Sequence, residues 1–295
     1  MNEQTLSELQ NRRHKRALQI IKRWRLMDDD FMKRCLKDNI PAVECILRII
    51  MEQPDLAVLS VHIEDTIPNL LGRGIRMDVH AIDSRGTEYD IEVQRSDKGA
   101  GARRARFNSS LLDLNSLKKG NTYDQLPESY VIFITENDIF KEGLARYHIN
   151  RIIEELNRPF DDGEHIIYVN GDYHGQDDIG KLMNDFRSSK VDDIILEPLK
   201  ETVNRYKNNP REVAAMCADL EKWSMEERAE GIAEGIEKGI EKGVKKGRVE
   251  GRAEGAELFA KLLKLLQADG RTDDIELALE DKEARERLYK EYHLE

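Results

Sequence analysis

The 295-residue chain holds three cysteines and few aromatic residues (6%), and no apolar run approaches the length that crosses a bilayer. Cys35, Cys45 and Cys217 form no CxxC pair, so neither a disulfide framework nor a cysteine-based zinc motif is available. The longest apolar stretches fall well short of the roughly 18–20 residues of a membrane helix, which excludes a membrane-spanning reading. MNEQTLSELQNRRHKR at the start lacks the apolar core of a secretory signal. A reduced, cytoplasmic chain is expected.

Charge is abundant instead: 36% of residues are Asp, Glu, Lys or Arg, and the formal net charge is −11. That total argues against a nucleic-acid partner only if the charge is evenly spread. It is not. Seven Lys/Arg face two Asp between Arg95 and Gly120, and residues 11–37 begin with another basic cluster, while acids gather after residue 269. A basic face on an acidic protein follows.

Four segments can be marked. Residues 1–27 read as a basic helix, and residues 28–225 as an α/β core. Asp28-Asp29-Asp30 suits a helix start, and Pro41 suits the first turn of a helix whose apolar stripe is Val43, Ile46, Leu47 and Ile50. Residues 56–63 alternate as a strand. SYVIFITEND (129–138) and HIIYVNGD (165–172) have the continuous apolar character of sheet-interior strands. Residues 102–118 read as a helix with Phe107, Leu111, Leu114 and Leu117 inward, and residues 175–225 as mostly helical.

From 226 to 257 glycine recurs every fourth residue, at 231, 235, 239, 243, 247, 251 and 255. Each interior glycine costs a helix about 1 kcal/mol relative to alanine. The segment is therefore a flexible linker, or a rod whose glycine ridge another helix approaches. The row Ile232, Ile236, Ile240, Val244 and the pairs Glu234–Lys238 and Glu241–Lys245 favour the rod. Residues 258–295 read as a helical hairpin, an oligomerisation unit.

The chemistry concentrates in RGIRMDVHAIDSRGTEYDIEVQ, residues 73–94. Two alternating runs flank Asp83-Ser84-Arg85-Gly86. Ile75, Met77, Val79 and Ala81, then Tyr89, Ile91 and Val93, form the apolar face. Asp78, His80, Glu88, Asp90, Glu92 and Gln94 form the other. A three-residue loop, Ser84-Arg85-Gly86, places glycine at the left-handed bulge position and makes paired residue numbers sum to 170. Asp78 then lies opposite Glu92. Opposed carboxylates repel; a divalent cation reverses the sign, and Mg²⁺ takes one or two carboxylates plus waters and phosphate oxygens. The plain alternative is a solvated acidic sheet face, with Asp83, Glu88 and Asp90 as turn and edge charges. For Arg103, Arg104 and Arg106 the choice lies between a solvated helix face and phosphate contact.

Asp, thirteen residues, then Glu-x-Gln on a hairpin, followed by a helix and an apolar strand, resembles the PD-(D/E)XK nuclease superfamily. The blocks DDDFMKRCLKDN, RGIRMDVHAIDSRGTEYDIEVQ, RRARFNSSLLDLNSLKKGNTYDQLPESYVIFITENDIF and HIIYVNG are similar to its bacterial recombination-promoting nuclease and transposase branch, over roughly residues 25–225. The resemblance implies a restriction-endonuclease-like mixed central sheet flanked by helices, with a C-terminal helical extension. It implies Asp78 and Glu92 as ligands of Mg²⁺ (or Mn²⁺), with Gln94 in the third catalytic position. Glu44 is either an additional metal-site acid or the partner of Arg48. The usual lysine of the motif is Gln94 here, and glutamine can orient water but carries no charge. The expected activity is metal-dependent cleavage of DNA by a homo-oligomer joined through the C-terminal region. Two rivals stand beside it: a non-catalytic DNA- or protein-binding module on a decayed nuclease core, and a self-assembly protein working through residues 231–295.

Overall fold

The computed structural model describes residues 3–67, 75–95, 99–118 and 120–294. These fall into two compact units, Met1–Glu221 and Lys222–Glu295.

The first unit opens with α1 (Glu3–Arg23), α2 (Asp29–Leu36) and α3 (Ile40–Met51). Asn39 caps α3 by accepting the Ala42 N–H at 3.3 Å, and Pro41 sits in its first turn, where a missing N–H costs nothing. The stripe Val43, Ile46, Leu47, Ile50 is fully buried, joined in one core by Ala17 and Ile21 of α1 and by Phe31, Met32 and Leu36 around α2. Strands β1 (Val58–Ile67), β2 (Ile75–Asp83) and β3 (Glu88–Gln94) follow, then α4 (Ala102–Ser116) and β4 (Ser129–Thr135). Next come the short β5 (Arg146–Ile149), β6 (Ile152–Ile153) and β7 (Arg158–Pro159), then β8 (Glu164–Asn170), α5 (Asp178–Arg187) and α6 (Glu197–Asn208).

The main sheet has six strands in the order β1-β2-β3-β4-β8-β5, with β6 and β7 paired separately. β1, β2 and β3 are antiparallel, β3-β4 and β4-β8 are parallel, and β5 closes the edge antiparallel to β8. This is the mixed, helix-flanked α/β sheet expected. Ile132, Ile134, Ile167 and Val169 of β4 and β8 are fully buried, which is why these strands read as unbroken apolar runs.

The register of the hairpin is as anticipated. Val79 pairs with Ile91, His80 with Asp90, Ala81 with Tyr89 and Ile82 with Glu88, each summing to 170. Gly86 has φ +85°, and its N–H donates to Asp83 O at 3.0 Å. The Asp83 carboxylate is buried and accepts from Arg85 N (2.8 Å), Thr87 N (2.9 Å) and Tyr89 Oη (3.1 Å), so it is the organising centre of the turn rather than a loose charge.

The structure disagrees with one alternative and one expectation. The alternative of a solvated acidic face fails: Asp90 and Glu92 are 0% exposed, because α4 lies over them. Also, α4 turns Ala105, Asn108, Ser109, Leu111 and Leu112 inward, while Phe107 and Leu114 are exposed. Leu111 lies inward as expected, but the part of the helix that covers the carboxylates turns small and amide side chains inward, so Phe107 and Leu114 do not mark that face. Met77 likewise packs with Leu111 and Leu112 rather than with Val79 and Ala81. The recorded β2–β3 pairing stops at Val79–Ile91, and beyond it the Asp78 carboxylate, not a carbonyl, accepts the Val93 N–H.

In the second unit, α7 (Pro210–Ala268), which begins within the first unit, carries the whole glycine repeat as helix. α8 (Thr272–Glu280) and α9 (Lys282–Glu291) pack back on its end through Leu262, Leu266, Ala278, Leu288 and Leu294. Among the described residues no helix is long and apolar enough to cross a membrane.

Candidate active site

Three carboxylates come together where β2 and β3 part. Asp78 projects from β2, and Asp90 and Glu92 alternate on the same face of β3. Asp78 Oδ2 accepts the Val93 N–H at 3.3 Å, and its other oxygen, Oδ1, lies 3.1 Å from Lys33 Nζ. Lys33, on α2, is nearly buried and also bonds Asp29 at 2.8 Å and Glu64 at 3.4 Å. Asp29, one turn earlier on α2, thus aims the ammonium at Asp78.

Glu92 is held differently. Its Oε2 accepts from the Gln94 amide at 3.2 Å and from the Arg104 guanidinium. Arg104 also donates to Gly99 O at 2.9 Å and lies over the Phe133 ring. A Cβ at Gly99 would meet the end of the Gln94 side chain, whose amide would have to turn aside. Asp90 Oδ2 accepts from Asn108 Nδ2 at 3.0 Å. His80 lies 3.2 Å from Glu88, which also takes the Ser116 hydroxyl at 2.7 Å.

Two oxygens, Asp90 Oδ1 and Glu92 Oε1, are buried without a hydrogen-bond partner. An unpartnered carboxylate oxygen in a dry site is unfavourable unless a proton or a cation satisfies it. The titration behaviour agrees. Burial, then the charges of Asp90 and Asp78, raise the Glu92 pKa against the pull of Arg104. Burial and the Asp78 charge raise Asp90, opposed by the Asn108 hydrogen bond. Asp78 is raised by burial and by Asp29, with Lys33 and the Val93 N–H opposing. Burial works against the Lys33 charge, but the Asp29 hydrogen bond and the Asp78 charge outweigh it and hold its pKa above the ordinary lysine value.

Among the described residues no group of three or more His, Cys, Asp or Glu is arranged to hold a metal. A hard cation that takes one or two carboxylates and completes its shell with water needs no such group. The donor chemistry fits it: an orphaned oxygen on Glu92 and a second carboxylate on Asp78 whose charge acts on the first.

Residues 57–172 match the family model for the PD-(D/E)XK nuclease family transposase. No curated protein and no solved structure gives a significant match. The matched PD-(D/E)XK segment runs from the residue before β1 to the turn after β8 and contains Asp78, Asp90, Glu92, Gln94 and the whole of α4.

Lys33 lies outside the PD-(D/E)XK match, and the sequence reading missed it. Its ammonium reaches Asp78 from a helix 45 positions upstream. The i,i+4 pair with Asp29 was legible; its direction was not. Asp90 was read only as an edge charge, and Asn108 was missed. Glu44 is not at the site. Its carboxylate accepts from Val58 N at 3.0 Å and pairs with Arg48 at 2.6 Å, tying α3 to the start of β1. Of the three arginines read as candidates for DNA-backbone contact, Arg104 pairs with Glu92 while part of its side chain stays exposed, and Arg103 and Arg106 are exposed.

Proposed function

We propose that this protein is a Mg²⁺-dependent DNA endonuclease of the recombination-promoting type, acting in the cytoplasm as a homo-oligomer joined through its C-terminal region. The observation that carries the reading is the unpartnered Glu92 Oε1 beside Asp78, within a segment that matches a nuclease family model. Asp78 and Glu92 would hold the ion, Mg²⁺ or Mn²⁺. When bound, the ion supplies Lewis acidity: it lowers the pKa of a water and offsets charge on the scissile phosphate.

The chain's own residues do the rest. Gln94 accepts or donates one hydrogen bond to the attacking water and fixes its direction, with its amide held against Glu92. Lys33 provides the positive charge that Gln94 lacks, at the Asp78 side of the site. Arg104 orients Glu92 and opposes part of the rise in its pKa, while exposed Arg103 and Arg106 bind DNA phosphates from the same helix. α4 excludes bulk water from the carboxylates, so their interaction with a cation is stronger than at an open surface.

Purified protein incubated with supercoiled plasmid tests this. Cleavage that requires Mg²⁺ or Mn²⁺ and is lost in Asp78→Ala supports it; cleavage that survives Asp78→Ala removes that residue from the mechanism. The second reading, a non-catalytic DNA-binding module, is favoured by the capped state of both acids, Lys33 on Asp78 and Arg104 on Glu92. It expects salt-sensitive binding with no metal requirement.

A further inference from the structure

The proposal concerns the unpartnered apolar row of α7 and deepens the self-association just proposed. Ile232, Ile236, Ile240 and Val244 are 56–65% exposed along a helix interior, one turn apart. Beside them run Gly231, Gly235, Gly239, Gly243 and Gly247, and a Cβ added at any of these would meet nothing within 4 Å. Residues at i±4n form the ridges and grooves by which helices pack. Here an isoleucine ridge adjoins a groove cut to the backbone, so one such helix carries both complementary halves of a contact. A second copy supplies the ridge for this groove and the groove for this ridge, the self-complementarity that a two-fold interface requires.

Charge decides the direction. Residues 226–237 contain five Glu and one Arg, net −4, whereas residues 238–252 contain six Lys/Arg and two Glu, net +4. A parallel pair would set like charges together along both halves. An antiparallel pair centred near Gly239 sets each acidic half on the partner's basic half and maps Gly231, Gly235 and Gly239 onto Gly247, Gly243 and Gly239. The ion pairs within the helix, Glu234–Lys238 and Lys246–Glu250, are exposed and leave this long-range complementarity in place. We infer that α7 pairs with α7 of a second copy in antiparallel fashion, the row Ile232, Ile236, Ile240, Val244 seated in the partner's glycine groove.

Light scattering of the full-length chain tests this, with circular dichroism as the folding control. The wild type is expected at twice the monomer mass, and Ile236→Glu/Ile240→Glu at the monomer mass with its helix content retained. Replacing Lys242, Lys245, Lys246 and Arg248 by Glu is expected to weaken the dimer at least tenfold. Adding Glu226→Lys, Glu230→Lys, Glu234→Lys and Glu237→Lys to that variant is expected to restore it. A dimer indifferent to the isoleucine changes overturns the inference while leaving oligomerisation through another surface. Indifference to the first charge change overturns the antiparallel arrangement, since a parallel pair merely exchanges like charges for like. A monomeric wild type overturns both this inference and the self-association on which it rests. None of these readouts depends on whether the core cuts DNA.

Discussion

Replacing Glu92 by glutamine should stabilise the protein at alkaline pH without metal, against the usual effect of altering a buried residue. The side chain is 0% exposed, Oε1 has no donor, and the charges of Asp90 and Asp78 act on it. A buried group left unsatisfied costs about 1–3 kcal/mol. Against that stands the ion pair to Arg104, which is 41% exposed and whose loss costs at most about 1 kcal/mol. The net gain at pH 8.5 is about 1 kcal/mol, or about 2–4 °C in Tm for a unit of this size. The sign follows from linkage. The folded-state pKa of Glu92 lies above its unfolded value, so the wild type's stability from this group is fully present below the ordinary carboxylate range and is lost as pH rises through the raised value. Glu92→Gln escapes that loss, and the two proteins converge near pH 4–5. Thermal melts in EDTA, followed by Trp24 fluorescence, measure the difference; Trp24 packs against the core of the first unit, whereas Trp223 is already exposed. Added Mg²⁺ should raise the wild type and leave the variant unmoved. A variant less stable than wild type at pH 8.5 in EDTA, or a difference that ignores pH, would refute the reasoning.

Other outcomes follow from neighbouring residues. Lys33→Met leaves Asp78 beside Asp29 and Glu64 without their shared cation, and should cost about 2–3 kcal/mol at pH 8 in urea unfolding, less at pH 4 where Asp78 takes up a proton. Asp83→Ala removes the acceptor of the Arg85 and Thr87 N–H groups, the Tyr89 hydroxyl and the Arg85 guanidinium, and should cost about 1–3 kcal/mol by the same assay. Gly86→Val forces a branched residue to φ +85° and should cost about 1–3 kcal/mol; an unchanged midpoint in urea would mean the loop has another conformation.

What the sequence disclosed, and what it hid, divides along physical lines. Gly86 at its loop position fixed the register of the hairpin from Val79–Ile91 to Ile82–Glu88, and Asp78 meets the β3 strand just beyond it through the Val93 N–H. The apolar runs of β4 and β8 and the stripe of α3 were equally plain, because burial on both faces or along one stripe leaves a direct periodic trace. The covering of the acids by α4 left no such trace. Asn108 and Ser116 look like surface residues until they are seen opposite Asp90 and Glu88. Lys33 could not be found by local pattern, since its partner lies 45 positions away across a helix–strand contact. Exposed β5 was missed because a short edge strand, with one face toward water, has little apolar periodicity to show.

The central claim is that Asp78 and Glu92 serve metal-dependent cleavage of DNA. Its most direct test is the conversion of supercoiled plasmid with Mg²⁺, Mn²⁺ or EDTA, using wild type, Asp78→Ala and Glu92→Gln, each verified as folded by its thermal melt. The account predicts nicked or linear product from the wild type with metal only, and none from either variant. DNA retarded on a gel but uncut by folded wild type under every metal condition would contradict it and leave the binding module as the better reading.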